Sequence, residues 1–274
     1  MNLAATPLYL ATAIEAALAA GRIHRQHFRQ QPAIQKKGRI DLVTAADLEA
    51  ERMFRALIAA RFPDHVVVGE EARAEAVPEG RCRWIIDPVD GTTNFAHGLA
   101  LFCVSIALEL DGRLELGVVY DPINEELFVA ERGQGARLNG APLEVTACRT
   151  LVDALLVTGF PYTVREERRQ QVAVFAAFLE EAQAVRRLGS AALDLCYVAA
   201  GRFDGYWEER VHPWDIAAGA LIVEEARGRV TGLAGQPFDP FSGHVVATNG
   251  LIHTAVLDVI HAALEARARI AHGG

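Results

Sequence analysis

At 274 residues, 51% hydrophobic and 23% charged, the chain is long enough for one large domain or two closely joined ones and too apolar to be disordered. A formal net charge of −8 speaks against a general binder of phosphate backbones. The four cysteines (Cys82, Cys103, Cys148, Cys196) form no CxxC pair and point to reduced thiols rather than a zinc site or disulfides, and no apolar run is long enough to span a bilayer.

Residues 6–30 are alanine-rich, with Leu10, Ile14, Leu18 and Phe28 among polar positions, and predict a long amphipathic helix whose Arg22, Arg25 and Arg29 suit a C-terminus. This stretch carries Glu15 and no basic leader, so it does not read as a signal peptide, and a cytoplasmic location is expected. Residues 35–39 predict a polar loop. Thr44 and Asp47 have the spacing of a capping box at the start of a helix to about Arg61, and on sequence alone capping accounts for Asp47. Residues 65–69 predict a strand ending in Glu70 and Glu71. The charged segment 72–81, with Pro78 and Gly80, predicts a mobile loop able to cover a site.

Trp84-Ile85-Ile86 predicts a short buried strand that stops near Asp87, because Pro88 cannot donate to a ladder. The exit loop then offers two carboxylates, Asp87 and Asp90, followed by Gly91 and the hydroxyls of Thr92 and Thr93. Carboxylate, carbonyl and hydroxyl oxygens are what magnesium prefers, and backbone N–H groups opening a helix at Gly91 form an anion site beside it. Strands over 101–110, 114–120 and 126–131, with an Asp111-Gly112 turn, predict an antiparallel meander. Beyond Thr150 strands and helices alternate: strand 154–158, helix 165–180, helix 191–200, strand 203–208, helix 214–226, strand 245–248 and a last helix to about Arg269. This predicts a smaller α/β part with helices on both sheet faces, 151–274, after an α+β part, 1–150. Asp215, in the first turn of its helix, is accounted for by the helix dipole when taken alone.

Asp87-Pro88-Val89-Asp90-Gly91-Thr92-Thr93-Asn94-Phe95 closely resembles the signature of the inositol monophosphatase family, magnesium-dependent, lithium-sensitive sugar phosphatases. Gly69-Glu70-Glu71 and Trp214-Asp215-Ile216-Ala217-Ala218-Gly219 resemble two more of its motifs, in family order, and Gly189-Ser190-Ala191-Ala192 resembles the substrate segment of bacterial members. Where the family ends the Asp215 helix with Glu-Ala-Gly-Gly, this chain has Glu225-Ala226-Arg227-Gly228.

The resemblance implies a layered αβαβα sandwich and hydrolysis of a phosphate monoester, inositol 1-phosphate first, with two to three Mg2+ ions and no covalent enzyme intermediate. It implies metal ligands Glu70, Asp87, the Val89 carbonyl, Asp90 and Asp215. Glu70 and Thr92, backed by Asp47 and Thr44, would orient the attacking water. Phosphate would lie on Gly91 and Thr92, and the alcohol portion near Asp90, Arg186, Gly189, Ser190, Ala191 and Glu208. A homodimer is implied. Relatives that cleave histidinol phosphate, fructose 1,6-bisphosphate or nucleotide 3′-phosphates supply an alternative substrate, and members that bind transcription machinery a non-enzymatic alternative, although no basic stripe supports direct nucleic-acid binding. The haloacid-dehalogenase phosphatases share Asp90-Gly91-Thr92, but Pro88 stands where their nucleophilic aspartate belongs.

Overall fold

Helices and sheets alternate in five layers in the computed structural model, which describes residues 6–30, 35–36, 42–71, 81–161 and 168–272. The expected cover loop therefore lies outside the described residues except for Arg81. The chain opens with α1 (Thr6–His27). The short strands β1 (Gln35–Lys36) and β2 (Leu42–Val43) pair antiparallel, where the polarity of 35–39 had predicted only a loop. α2 (Ala45–Arg61) follows, then β3 (Val66–Gly69), β4 (Cys82–Asp90), α3 (Thr92–Ala96), β5 (Cys103–Leu110), β6 (Arg113–Asp121), β7 (Glu126–Glu131), β8 (Ala136–Leu138) and β9 (Ala141–Pro142). These seven strands form one sheet in chain order, parallel between β3 and β4 and antiparallel thereafter.

β10 (Leu155–Thr158), α4 (Arg168–Glu181), β11 (Ala184–Arg186), α5 (Ala191–Ala199), β12 (Gly205–Glu209), α6 (Pro213–Glu225), β13 (Arg229–Thr231), β14 (His244–Thr248) and α7 (His253–His272) complete the fold. The second sheet has the order β11-β10-β12-β14-β13, parallel around β10 and antiparallel around β14. The three-residue strands β8, β11 and β13 are too short to show a period in the sequence.

α1 and α2 cover the outer face of the first sheet, α5 and α6 lie between the sheets, and α4 and α7 cover the second. The largest apolar cluster runs from Ile85 and Val119 through Leu195, Ala218 and Leu221 to Val245, so both sheets pack on the same two helices. Gly117 permits this closeness: a Cβ there would lie 2.7 Å from the Ala218 carbonyl oxygen.

α1 differs from its sequence reading, and α6 keeps its end despite an unusual residue. α1 buries its alanines, Ala13, Ala16, Ala17 and Ala20, and leaves Leu18 36% exposed, because small residues let the helix lie close to the sheet. A Cβ on Gly21 would come within 2.4 Å of the Tyr120 ring. α6 ends without the family's glycine, yet its turn is intact. Arg227 N–H bonds to the Glu224 carbonyl and Gly228 N–H to the Val223 carbonyl, with Arg227 itself at φ 71°. That is the Schellman arrangement with a side chain in the left-handed position glycine occupies most easily.

Candidate active site

β3 and β4 run parallel with Gly69 opposite Ile86, so Glu70 leaves one strand beside the point where its neighbour carries Asp87. Here β4 does not stop, as Pro88 led one to expect. Pairing with β5 is continuous from Cys82 to Asp87, which faces Ser105, and resumes where Asp90 faces Cys103. Pro88 and Val89 thus stand opposite Val104 alone. A two-against-one bulge needs no donor from proline, which explains why the strand survives it. Asp87 Oδ1 accepts from Val89 N–H at 2.9 Å and closes the bulge. Gly91, at φ 90°, then turns the chain into α3, with no room for a Cβ beside the Leu101 carbonyl at 2.8 Å.

The capping box of α2 serves two purposes. Thr44 donates to Asp47 Oδ2 from N–H at 2.8 Å and from Oγ1 at 2.5 Å, while Ala46 N–H caps on Thr44 Oγ1 at 3.2 Å. Asp47 Oδ1 is left facing the Thr92 hydroxyl at 3.3 Å, and that hydroxyl also lies 2.9 Å from the Val89 carbonyl. Thr44, Asp47 and Thr92 are all buried.

Asp90 reaches the middle layer. Its Oδ2 accepts from Ser190 Oγ at 2.5 Å and Ala192 N–H at 2.8 Å, at the start of α5, and lies 3.7 Å from Cys103 Sγ. Asn94 fixes the same segment by donating to the Leu188 carbonyl at 2.9 Å, and Gly189 turns there at φ 93°. Asp215 comes from the start of α6. Ser105, opposite Asp87, donates to the Trp214 carbonyl at 3.0 Å and draws that helix end to the bulge, and Asp215 Oδ2 accepts from His212 N–H at 2.7 Å. Oxygen atoms of Asp87, Asp90 and Asp215 all lie within 4.8 Å of one another, and those of Asp47, Glu70 and Glu71 form a second such group.

Burial raises the pKa of Asp87 well above the usual carboxylate range, reinforced by the charges of Glu70, Asp90, Asp215 and Asp47. Asp215 is raised well above it by burial and by Asp90 and Glu70. Asp90 is raised by burial against the opposing pull of its Ser190 and Ala192 hydrogen bonds. The charges that bear most on Asp87 are thus other carboxylates. Converging oxygen donors that repel one another suit a hard divalent cation, which would replace the repulsion by attraction, so the residues fit the metal.

Farther along α5 and β12, Glu208 is buried, accepts from the Tyr206 hydroxyl at 2.5 Å, and has its pKa pushed up to about 7 by burial. Gly159 makes room for it: a Cβ would fall 2.0 Å from Glu208 Oε2. Of the two neighbouring arginines it is Arg187, not Arg186, whose charge bears on Glu208 and on buried Asp194. Arg186 ends β11 exposed, with Nη1 on the Val185 carbonyl at 3.1 Å. Ala191 opens α5 beside Ser190.

Sequence reasoning gave no part to Asp194 and Tyr206, which the structure sets beside Glu208, and none to Glu71 beyond its place in the motif, where its carboxylate joins those of Asp47 and Glu70. It also missed Glu51, whose carboxylate takes Glu71 N–H at 2.7 Å and pairs with Arg55. A buried acid on α2, four residues before an arginine, was a signal that could have been followed.

The profile of the inositol monophosphatase family matches residues 8–267. A Nus factor SuhB of Pasteurella multocida is 44% identical over 254 residues, covering 92% of this chain and 95% of that protein. An inositol-1-monophosphatase of Synechocystis is 44% identical over 246 residues, covering 89% and 86%. Among solved structures, an inositol monophosphatase from Anabaena superposes with a TM-score of 0.84 at 41% identity, over 93% of this chain and 96% of that one. The Thermotoga maritima IMPase gives 0.85 at 37% identity, over 94% and 98%.

Proposed function

This chain belongs to the inositol monophosphatase family of phosphomonoesterases, and from that premise we propose that it hydrolyses inositol 1-phosphate to inositol and phosphate with magnesium. One observation carries the proposal: Asp87, Asp90 and Asp215, from two strand positions and a helix 125 residues beyond, bring oxygens within 4.8 Å of one another.

Asp87, Asp90 and Asp215 would hold one cation, and Glu70, Asp87 and the Val89 carbonyl another, with a third near Glu70. Bound magnesium would supply positive charge for the phosphoryl oxygens and make a water easier to deprotonate. The chain itself does the positioning. Asp47 Oδ2 is taken up by Thr44, so Oδ1 is turned to Thr92. When the Thr92 hydroxyl gives its single proton to Asp47 or to the Val89 carbonyl, its lone pairs are left to accept from a water, which Glu70, grouped with Asp47, would also orient. The N–H groups of Gly91 and Thr92 would take the phosphate. Asp90, Arg186, Gly189, Ser190, Ala191 and Glu208 would face the alcohol portion, with the charge of Arg187 acting on Glu208. Lithium sensitivity, a homodimer, a cytoplasmic location, two to three ions per site and a division near residue 150 belong to the same proposal, supported by family membership. Among the described residues no helix is long and apolar enough to cross a membrane.

Phosphate release should be measured from inositol 1-phosphate, histidinol phosphate, fructose 1,6-bisphosphate and a nucleotide 3′-phosphate, with magnesium and with chelator. Inositol 1-phosphate is expected to be preferred, and Asp90→Asn and Asp215→Asn to lose most turnover. Near wild-type turnover in either variant contradicts the ligand assignment, and preference for another ester reassigns the substrate.

A second reading, association with transcription machinery, is supported by relatives 41–44% identical that are named Nus factor SuhB. Capture of RNA polymerase by the wild type and by Asp215→Asn alike would support it; capture of none by either would dismiss it.

A further inference from the structure

α1 carries none of the motifs, yet it reaches the metal-ligand loop. His24 is fully buried near its C-terminal end, with Nε2 2.7 Å from the Pro88 carbonyl oxygen. A carbonyl only accepts, so Nε2 carries the proton and donates, and the unprotonated Nδ1 has no hydrogen-bond partner among the described residues. Pro88 and Val89 are the residues that the bulge takes out of regular pairing with β5. The Pro88 carbonyl is thus met from outside the sheet, by a side chain 64 positions away.

The donor is held firmly. The His24 ring meets Phe95 and Phe102 edge-on, with centroids 6.2 and 5.8 Å away. The helix is seated one turn before, where Gly21 admits the Tyr120 ring, and at the next residue, where Arg25 Nη1 donates to the Pro122 carbonyl at 2.8 Å.

We infer that His24 is a positioning residue for the cation site, its Nε2–H fixing the Pro88 carbonyl and thereby the directions of the Asp87 carboxylate and the Val89 carbonyl on either side. The inference rests on the reading of Asp87, Val89 and Asp90 as cation ligands.

The test is Mn2+ binding to the full chain, without substrate, by calorimetry. His24→Leu fills the space and removes the donor, and His24→Gln keeps an N–H. Phe28→Leu loosens the same aromatic group, where Phe28 lies 4.9 Å from Phe102, and leaves the donor untouched. His24→Leu should weaken Mn2+ binding by about ten-fold, the lower end of what outer-shell partners of metal ligands contribute. His24→Gln and Phe28→Leu should stay within about two-fold of wild type, although Phe28→Leu melts earlier. Unchanged binding in His24→Leu overturns the inference, as does equal weakening by Phe28→Leu, which would make packing the cause. Should His24→Leu not fold, His24→Met is read in the same way. A wild type that binds no Mn2+ overturns the cation reading itself, and this inference with it.

Discussion

Asp87→Asn should stabilise the metal-free protein while removing its response to magnesium. The variant keeps Oδ1 as the acceptor for Val89 N–H at 2.9 Å, so the bulge stays closed and only charge is lost. Two full charges no more than 4.8 Å apart in an effective dielectric of about 20 repel by about 3.5 kcal/mol or more. With Asp90 and Asp215 both within that distance, the two repulsions between full charges sum to at least about 7 kcal/mol. The folded cluster escapes much of this by keeping protons, since the pKa values of Asp87 and Asp215 are raised well above the ordinary range. About 1–3 kcal/mol of relief should remain for the variant near pH 8, or a melting temperature higher by about 3–8 °C.

A carboxylate whose folded pKa is raised stabilises below its unfolded value, and that contribution is lost as pH rises through the folded value. In chelator the wild type should therefore melt progressively lower from pH 5 to pH 8, and Asp87→Asn less so. Magnesium should lift the wild type and leave the variant nearly unmoved. Scanning calorimetry in both conditions measures this; a variant that melts below wild type in chelator at pH 8 would refute the reasoning.

Gly159→Ala should push Glu208 aside and raise KM for inositol 1-phosphate several-fold while sparing a simple aryl phosphate, which steady-state kinetics on the two esters will test. Glu208, with a pKa of about 7, should accept a substrate hydroxyl better once ionised, so KM should fall as pH rises through 7 in the wild type and stay flat in Glu208→Gln. His24 has its pKa lowered by burial from 6.5 to about 4, so stability present above 6.5 should be lost as pH falls towards 4. Acid titration of magnesium-free His24→Gln should lack that part of the slope, up to about 3 kcal/mol. Arg227→Gly should raise stability by about 0.5–1 kcal/mol in denaturant titrations, by relieving the φ of 71°, since the exposed Glu144 pair offers little to lose.

What the sequence disclosed was mostly local. The Thr44–Asp47 box, the Asp111-Gly112 turn and the glycine after Asp90 depend on neighbours a few residues away, and each is found where spacing put it. The three acid motifs were legible through their resemblance, although Asp47 and Asp215 have good capping roles that alone would have explained them. What stayed hidden depends on a distant partner. The ladder rule for Pro88 was sound, but a bulge is a property of two strands. Leu18 looked like core because apolar periodicity does not reveal that alanine permits a closer approach. That the charge of Arg187 acts on Glu208, one position beyond the strand end where Arg186 lies exposed, is likewise not written in composition. His24 could not be found at all, since its partner is a backbone carbonyl in another layer.

Carboxylates from both halves of the chain are proposed to hold divalent ions at the bulge. Crystals of the full chain soaked in Mn2+ and measured at the manganese absorption edge test it without relying on turnover. Anomalous peaks are expected among Asp87, Asp90 and Asp215 and between Glu70 and the Val89 carbonyl. Peaks elsewhere on the surface, with these side chains bare, would contradict it.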